Sequence, residues 1–216
     1  MHRPLLLGHR GARALKSIPE NTLASFDRAL ADGCDGFEFD VRLTADNAAV
    51  VRHDPKTKDI EIANATFAQL PNLPRLEDVL ARYKDNAFID IELKVQGLEE
   101  VTSALLRKNP PRRGLVVSSF LPEVLQELHQ LDSTIPLGLI CETRAQLRVW
   151  TQLSLQYVIT HHKLATPDLF GELKCAGIKV LVWTVNMAAD MRRFAKAGVD
   201  GIISDDTRLL AQTLGI

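Results

Sequence analysis

The sequence predicts an α/β protein: a (β/α)8 TIM barrel forming a single domain over residues 1–216, with a short insertion after the second strand. Three observations lead there. Apolar runs of strand length alternate with helix-period segments from one end to the other, and there are eight such runs. Several are continuous rather than alternating, as parallel strands covered on both faces should be. Eight is also the number that closes a barrel. A doubly wound open sheet is the competing arrangement.

The strand-like runs are 5–8, 36–41, 88–93, 115–118, 137–140, 157–160, 180–184 and 201–204. After the first, Leu23, Phe26 and Leu30 recur at helical spacing, and Gly33 stands where that helix should stop. Between positions 41 and 75 the rhythm breaks. A second short apolar run, Ala48 to Val51, ends at His53-Asp54 and gives way to a polar stretch at 55–65. This is the insertion, expected as an extended loop or hairpin above the barrel mouth, where function often resides. Leu76, Val79, Leu80 and Tyr83 mark the next helix. Leu98, Val101 and Leu105 mark the one after, followed by Val124, Leu125, Leu128 and Leu131. Weaker helical patterns at 145–153, 169–176, 191–195 and 208–214 complete the alternation. No Pro/Gly/Ser-rich linker interrupts it.

Composition narrows the function classes. Hydrophobic residues make up 46% of the chain, enough for a full core. The 26 basic and 27 acidic residues leave a net charge of -1, so no global field draws nucleic acid or an anionic membrane. Anion binding would have to be local. Cys34, Cys141 and Cys175 are odd in number and widely spaced, which suits a reducing, cytoplasmic setting better than a disulfide framework. The first strand begins so early that no signal peptide is expected, and no apolar stretch reaches the length of a membrane span.

Charged residues gather at strand ends: His9-Arg10, Glu38 and Asp40, His53-Asp54, Glu92 and Lys94. Residues two apart on a strand share a face, so Glu38 and Asp40 lie close together, and so do Glu92 and Lys94. Carboxylates crowded in this way repel one another, and a hard divalent cation relieves the conflict. Ion pairing with Arg10 and Lys94 alone is the other way to satisfy them. Two cations beside a metal make a clamp for phosphate. His9 and His53 are the side chains best suited to proton transfer near neutral pH. His161-His162 is a lesser candidate for the mouth, whereas His2 and His129 read as surface residues. Trp183 either packs in the core or faces the mouth against a small alcohol. Asn21 is a candidate N-cap for the first helix, Glu20 could hold Arg10 or reach a metal, and Asp205-Asp206 reads as the cap of the last helix.

In order along the chain, His9-Arg10-Gly11, Glu20-Asn21-Thr22, Glu38-Phe39-Asp40-Val41, Thr44-Ala45-Asp46, His53-Asp54, Leu76-Glu77-Asp78, Ile91-Glu92-Leu93-Lys94, Trp183-Thr184-Val185-Asn186 and Gly198 to Asp205 form a series. It resembles the motif series of the glycerophosphodiester phosphodiesterases, and most closely the small cytosolic bacterial members. The resemblance implies a TIM barrel and hydrolysis of glycerophosphodiesters to an alcohol and sn-glycerol 3-phosphate. It also implies one divalent metal ion (Mg²⁺, Ca²⁺ or Mn²⁺) held by Glu38, Asp40 and Glu92. His9 and His53 would then be the general acid and base. Arg10 and Lys94 would bind the phosphate, and Trp183 would line the glycerol or leaving-group side. The expected partner is a small-molecule glycerophosphodiester. Action on lysophospholipids or another phosphodiester is the alternative, as is a barrel that only binds a phosphorylated metabolite. Two departures stand out. Asn47 replaces the usual Gly of a turn that Asn also tolerates, and Lys56-Thr57-Lys58-Asp59 replaces an Arg-Thr-Thr pattern.

Overall fold

The computed structural model describes residues 3–215, so His2 lies outside it. In chain order the strands are β1 (Leu5–His9), β2 (Gly36–Leu43), β3 (Ala49–Val51), β4 (Lys56–Thr57), β5 (Ile60–Glu61), β6 (Phe88–Leu93), β7 (Leu115–Ser119), β8 (Leu137–Cys141), β9 (Tyr157–His161), β10 (Lys179–Trp183) and β11 (Gly201–Ser204). The helices are α1 (Leu23–Ala31), α2 (Leu76–Tyr83), α3 (Glu99–Lys108), α4 (Pro122–Leu131), α5 (Arg144–Leu147), α6 (Pro167–Cys175), α7 (Ala188–Ala197) and α8 (Thr207–Leu214). Strands β1, β2, β6, β7, β8, β9, β10 and β11 pair in parallel around a ring, and β1 closes it by bonding both β11 and β2. This is the (β/α)8 barrel and not an open sheet.

Strand period separates two apolar layers. Alternate residues such as Phe37 and Phe39 of β2 and Ile89 and Ile91 of β6 point outward, into the layer between barrel and helices. There Phe26 of α1 stacks on Phe37 with centroids 4.3 Å apart, and Tyr83 of α2 meets Phe37 edge-on. The intervening residues Leu7, Phe88, Val116, Ile140, Tyr157, Ile159, Leu181 and Ile203 fill the barrel itself. The inward column of β6 then continues from Phe88 to Asp90 and Glu92, so the barrel interior turns polar toward the C-terminal ends of the strands.

The insertion is a hairpin, as expected. Strand β3 runs antiparallel to the overhanging end of β2, with Val41 opposite Val51 and Leu43 opposite Ala49. Asn47 in the turn takes the left-handed conformation, φ 60°. The polar stretch that follows does more than loop. It carries the small β4–β5 hairpin and buries Ile62 and Ala65 with Val50 and Leu70 in a core of its own.

Three helix expectations need correction. In α3 the phase is off: Leu98 precedes the helix, Val101 and Leu105 are only partly buried, and the inward face is Glu99, Thr102, Ser103 and Leu106. The pattern at 145–153 is a four-residue α5 followed by a 3-10 turn, with no fully buried residue. Leu131, at the end of α4, is exposed.

Candidate active site

Barrel register assembles the site. On β2 and β6, Glu38 sits beside Asp90 and Asp40 beside Glu92, all four buried and on the inner face. One oxygen from each of Glu38, Asp40 and Glu92 lies within 4.8 Å of the others. The expected carboxylate trio therefore converges, with Asp90 one rung below. Ser118 donates to Asp90 at 2.6 Å.

Two cations flank the trio. Lys94 Nζ lies 2.5 Å from Glu92 and 3.3 Å from Asp40. Arg10 follows β1 in a tight turn in which it takes φ 52° and Gly11 takes φ 79°. A non-glycine residue in this region is strained, and such strain tends to collect at functional sites. Here the turn lets the Arg10 backbone N–H donate to Glu38 at 3.0 Å, with its guanidinium 3.2 Å from Asp40. Glu20 holds that guanidinium at 2.8 Å, the simpler of its two expected roles. Asn21 is not the cap of α1. Thr22 is, and Asn21, buried at φ 57°, donates to Asp40 at 2.8 Å.

The charges do not balance. Three carboxylates face two cations, with Asp90 besides, and Glu38 Oε1 is buried with no hydrogen-bond partner among the described residues. Burial, then the charges of Asp40, Glu92 and Asp90, push Glu38 well above the usual carboxylate range. Burial and Asp40 raise Glu92 to about 7, and burial raises Asp90 to about 7. Burial opposes ionisation of Asp40 as well, but Lys94 and Arg10 outweigh it and hold Asp40 low. An excess of buried carboxylate with an orphaned oxygen and an all-oxygen donor set fits a hard divalent cation.

The imidazoles arrive from two directions. His9 ends β1, with Nε2 3.9 Å from Glu38 and Nδ1 2.7 Å from Asp205. His53 is carried in by the hairpin. Arg52 N–H bonds the carbonyl of Asp40 at 2.9 Å, and Arg42 Nε holds the carbonyl of His53 at 2.7 Å. Both rings line a cavity of about 300 Å³ together with Arg10, Glu38, Glu92 and Lys94. Its far wall is apolar: Phe120, Ile140, Ile159, Ile203 and Trp183, with Glu142 at the edge. Trp183 thus faces the mouth. Its ring stands edge-on to Phe120 and His161, and its Nε1 donates to the Ile159 carbonyl at 3.2 Å. The His161 and His162 rings lie 4.2 Å apart, tilted by 33°, beside this wall, and burial with the charge of His162 lowers the pKa of His161. His129 is half-buried on α4, away from the site. A larger groove of about 810 Å³, near Lys174, Lys179 and Lys196 at the opposite end of the strands, contains none of these groups.

Sequence reasoning missed Asp90, Phe120, Glu142, Arg13 and the contact made by Asp205. Asp90 was within reach, because it lies two residues before Glu92 and so must share its face. Asp206 does cap α8, accepting from Leu209 N–H at 2.9 Å, whereas its neighbour Asp205 turns inward.

Fold and cavity define a TIM barrel with a carboxylate-rich cavity, lined by two imidazoles, at its C-terminal mouth. The family model described as "Glycerophosphoryl diester phosphodiesterase family" matches residues 9–209. A glycerophosphodiester phosphodiesterase of Caldanaerobacter subterraneus is 30% identical over 96% of each chain. The crystal structure of a glycerophosphodiester phosphodiesterase from Parabacteroides distasonis superposes with a TM-score of 0.86 at 26% identity, covering 98% of this chain and 97% of that one. A protein of Silicibacter pomeroyi, described as a "Putative glycerophosphoryl diester phosphodiesterase", shares the fold at TM-score 0.87 and 24% identity, covering 98% of this chain and 93% of that one. The chain belongs to the glycerophosphoryl diester phosphodiesterase family of enzymes.

Proposed function

We propose that the chain, working as a single domain in the cytoplasm, hydrolyses glycerophosphodiesters to an alcohol and sn-glycerol 3-phosphate. The observation that carries this is one cavity lined by an excess of buried carboxylate, two cations and two imidazoles. One divalent ion (Mg²⁺, Ca²⁺ or Mn²⁺) would sit among Glu38, Asp40 and Glu92. When bound it supplies positive charge against the phosphate oxygens. Arg10 offers a planar fork to two of those oxygens, and Lys94 offers a point charge. One of His9 and His53 takes a proton from the attacking group, and the other gives one to the departing alkoxide. The attacking group is the substrate's own glycerol 2-hydroxyl. It neighbours the phosphorylated oxygen and so has the advantage of proximity. The resulting cyclic phosphate opens to water with the two imidazoles exchanging roles. Trp183 and Phe120 guide the carbon skeleton.

The cytoplasmic setting rests on three free cysteines, two of them buried. Among the described residues no helix is long and apolar enough to cross a membrane. The small cavity suits a deacylated substrate better than a lysophospholipid, and two imidazoles exceed what binding alone requires.

The test is release of sn-glycerol 3-phosphate from glycerophosphocholine, glycerophosphoethanolamine and glycerophosphoinositol, with lysophosphatidylcholine as the rival, each with Mg²⁺, Mn²⁺ or Ca²⁺ present. Silence on all three deacylated substrates, or preference for the lysolipid, sinks the reading. A 2-deoxy analogue should turn over on the order of 10²-fold more slowly or worse. Its rapid hydrolysis would instead mean direct attack by water.

A further inference from the structure

Barrel closure brings together two residues 196 positions apart. Strands β1 and β11 pair in register, Leu7 with Ile203 and Gly8 with Ser204. The next rung is His9 and Asp205. Both continue inward columns, and the ring Nδ1 meets Asp205 Oδ1 at 2.7 Å.

Asp205 is itself firmly held. Its Oδ1 also accepts from Arg13 Nη1 at 3.2 Å, and its Oδ2 accepts from Asn186 Nδ2 at 2.7 Å. Asn186 Oδ1 in turn accepts the Asp205 backbone N–H at 2.9 Å and the Ser204 hydroxyl at 3.1 Å. Arg13 reaches on to Glu20 at 2.6 Å, and Glu20 grips Arg10. One chain of charge-assisted bonds therefore runs from the catalytic imidazole to the phosphate-binding guanidinium. Although burial opposes ionisation, His9, Asn186 and Arg13 hold the Asp205 carboxyl below the usual range. An ionised carboxylate offers no hydrogen, so the ring nitrogen facing it must be the donor. That puts the proton on Nδ1 and leaves Nε2, on the Glu38 side, for chemistry.

His53 has no such support. Its Nδ1 lies 2.8 Å from Asp54, but that carboxylate belongs to the adjacent residue and is 61% exposed. An exposed pair of this kind constrains little.

We propose that Asp205 is a positioning residue for the reaction assigned above: it fixes the ring plane and tautomer of His9, with Arg13 and Asn186 holding it in place. The inference rests on His9 being catalytic, and the experiment separates the two claims. Turnover, KM, Mn²⁺ affinity and thermal midpoint are measured for Asp205→Asn, His9→Ala and the double variant. Long-range ¹H–¹⁵N spectra of wild type report the His9 tautomer. Asp205→Asn should lower kcat on the order of 10²–10⁴-fold, the scale for a misoriented acid–base histidine. KM and Mn²⁺ affinity should stay within a few-fold. The same substitution in the His9→Ala background should add little, because both act through one ring. Wild-type spectra should show the Nδ1–H form. Normal turnover in Asp205→Asn beside a crippled His9→Ala overturns the positioning role and leaves His9 catalytic. Fully additive losses, or an Nε2–H tautomer in wild type, overturn it too, and the spectrum decides even if the Asn variant does not fold. Normal turnover in His9→Ala overturns instead the assignment of His9.

Discussion

Replacing Glu38 by Gln separates a metal site from an ion-paired cluster. Glu38 is 4% exposed, its Oε1 has no hydrogen-bond partner among the described residues, and Asp40, Glu92 and Asp90 surround it. The amide keeps an acceptor for the Arg10 N–H at 3.0 Å while removing one negative charge. An unsatisfied buried polar group costs about 1–3 kcal/mol, and more if charged. In chelator, the variant should therefore be the more stable protein by about that much. In a domain of this size, that is roughly 2–4 °C of thermal midpoint per kcal/mol. The sign with pH follows from linkage. Burial and neighbouring charge raise the folded-state pKa of Glu38 above its unfolded value. The penalty is thus absent below the unfolded pKa and grows as pH rises toward the folded one. The variant's advantage should widen from about pH 5 to about pH 8. Metal should reverse the order. A ligand at 100 times its Kd stabilises by about 2.7 kcal/mol, which wild type should gain and the variant should largely forfeit. Scanning calorimetry of both proteins, in chelator and in Mn²⁺ across this pH range, provides the check. A chelated variant less stable than wild type, or an equal Mn²⁺ gain in both, would refute the reasoning and leave the carboxylates as partners of Arg10 and Lys94.

Three further outcomes are expected. His53→Ala should lower kcat by ~10²–10⁴ with Mn²⁺ affinity nearly unchanged; normal turnover would make His53 structural and bring His161 or His162 into consideration. Arg10→Lys should reduce kcat/KM markedly, since an ammonium cannot make the forked contact and Glu20 would lose its partner at 2.8 Å; kinetics close to wild type would limit Arg10 to charge balance. Phe26→Ala, in the aromatic stack with Phe37, should cost about 3–5 kcal/mol in denaturant unfolding; a loss under about 1 kcal/mol would show that the outer layer can collapse around the gap.

Much of this architecture was legible because barrel strands are apolar on both faces and helices on one. The misreadings have local causes. In α3, Glu99, Thr102 and Ser103 occupy the inward face, so apolar periodicity pointed to the wrong stripe. Around Asn21 two capping residues stand in a row, and sequence cannot say which one caps and which turns in toward Asp40. The Asp205-Asp206 pair poses the same ambiguity at the other end of the chain, and only the β1–β11 register resolves it. Carboxylates on a single strand were readable from period two alone, whereas contacts across the closure of the barrel were not.

The inward columns also explain how so costly a cluster is tolerated. Along β1 the column runs from Leu7 to His9, along β6 from Phe88 through Asp90 to Glu92, and along β11 from Ile203 to Asp205. On β10 it runs from Leu181 to Trp183, and past β8 from Ile140 to Glu142. A step of two residues thus takes each column from interior packing to the mouth of the barrel. The apolar plug beneath and the outer layer around Phe26, Phe37 and Tyr83 contribute no charged group to the cavity, though Ile140, Ile159 and Ile203 at the top of the plug form part of its wall. They hold the strand ends in place while like charges crowd above them. It follows that substitutions at the rim should change metal binding, as for Glu38→Gln, or turnover, as for Asp205→Asn, while leaving the barrel folded. A substitution two residues lower, such as Leu7→Ala, should do the reverse. It opens a void in the packed interior, costing about 2–5 kcal/mol, without touching a reacting group.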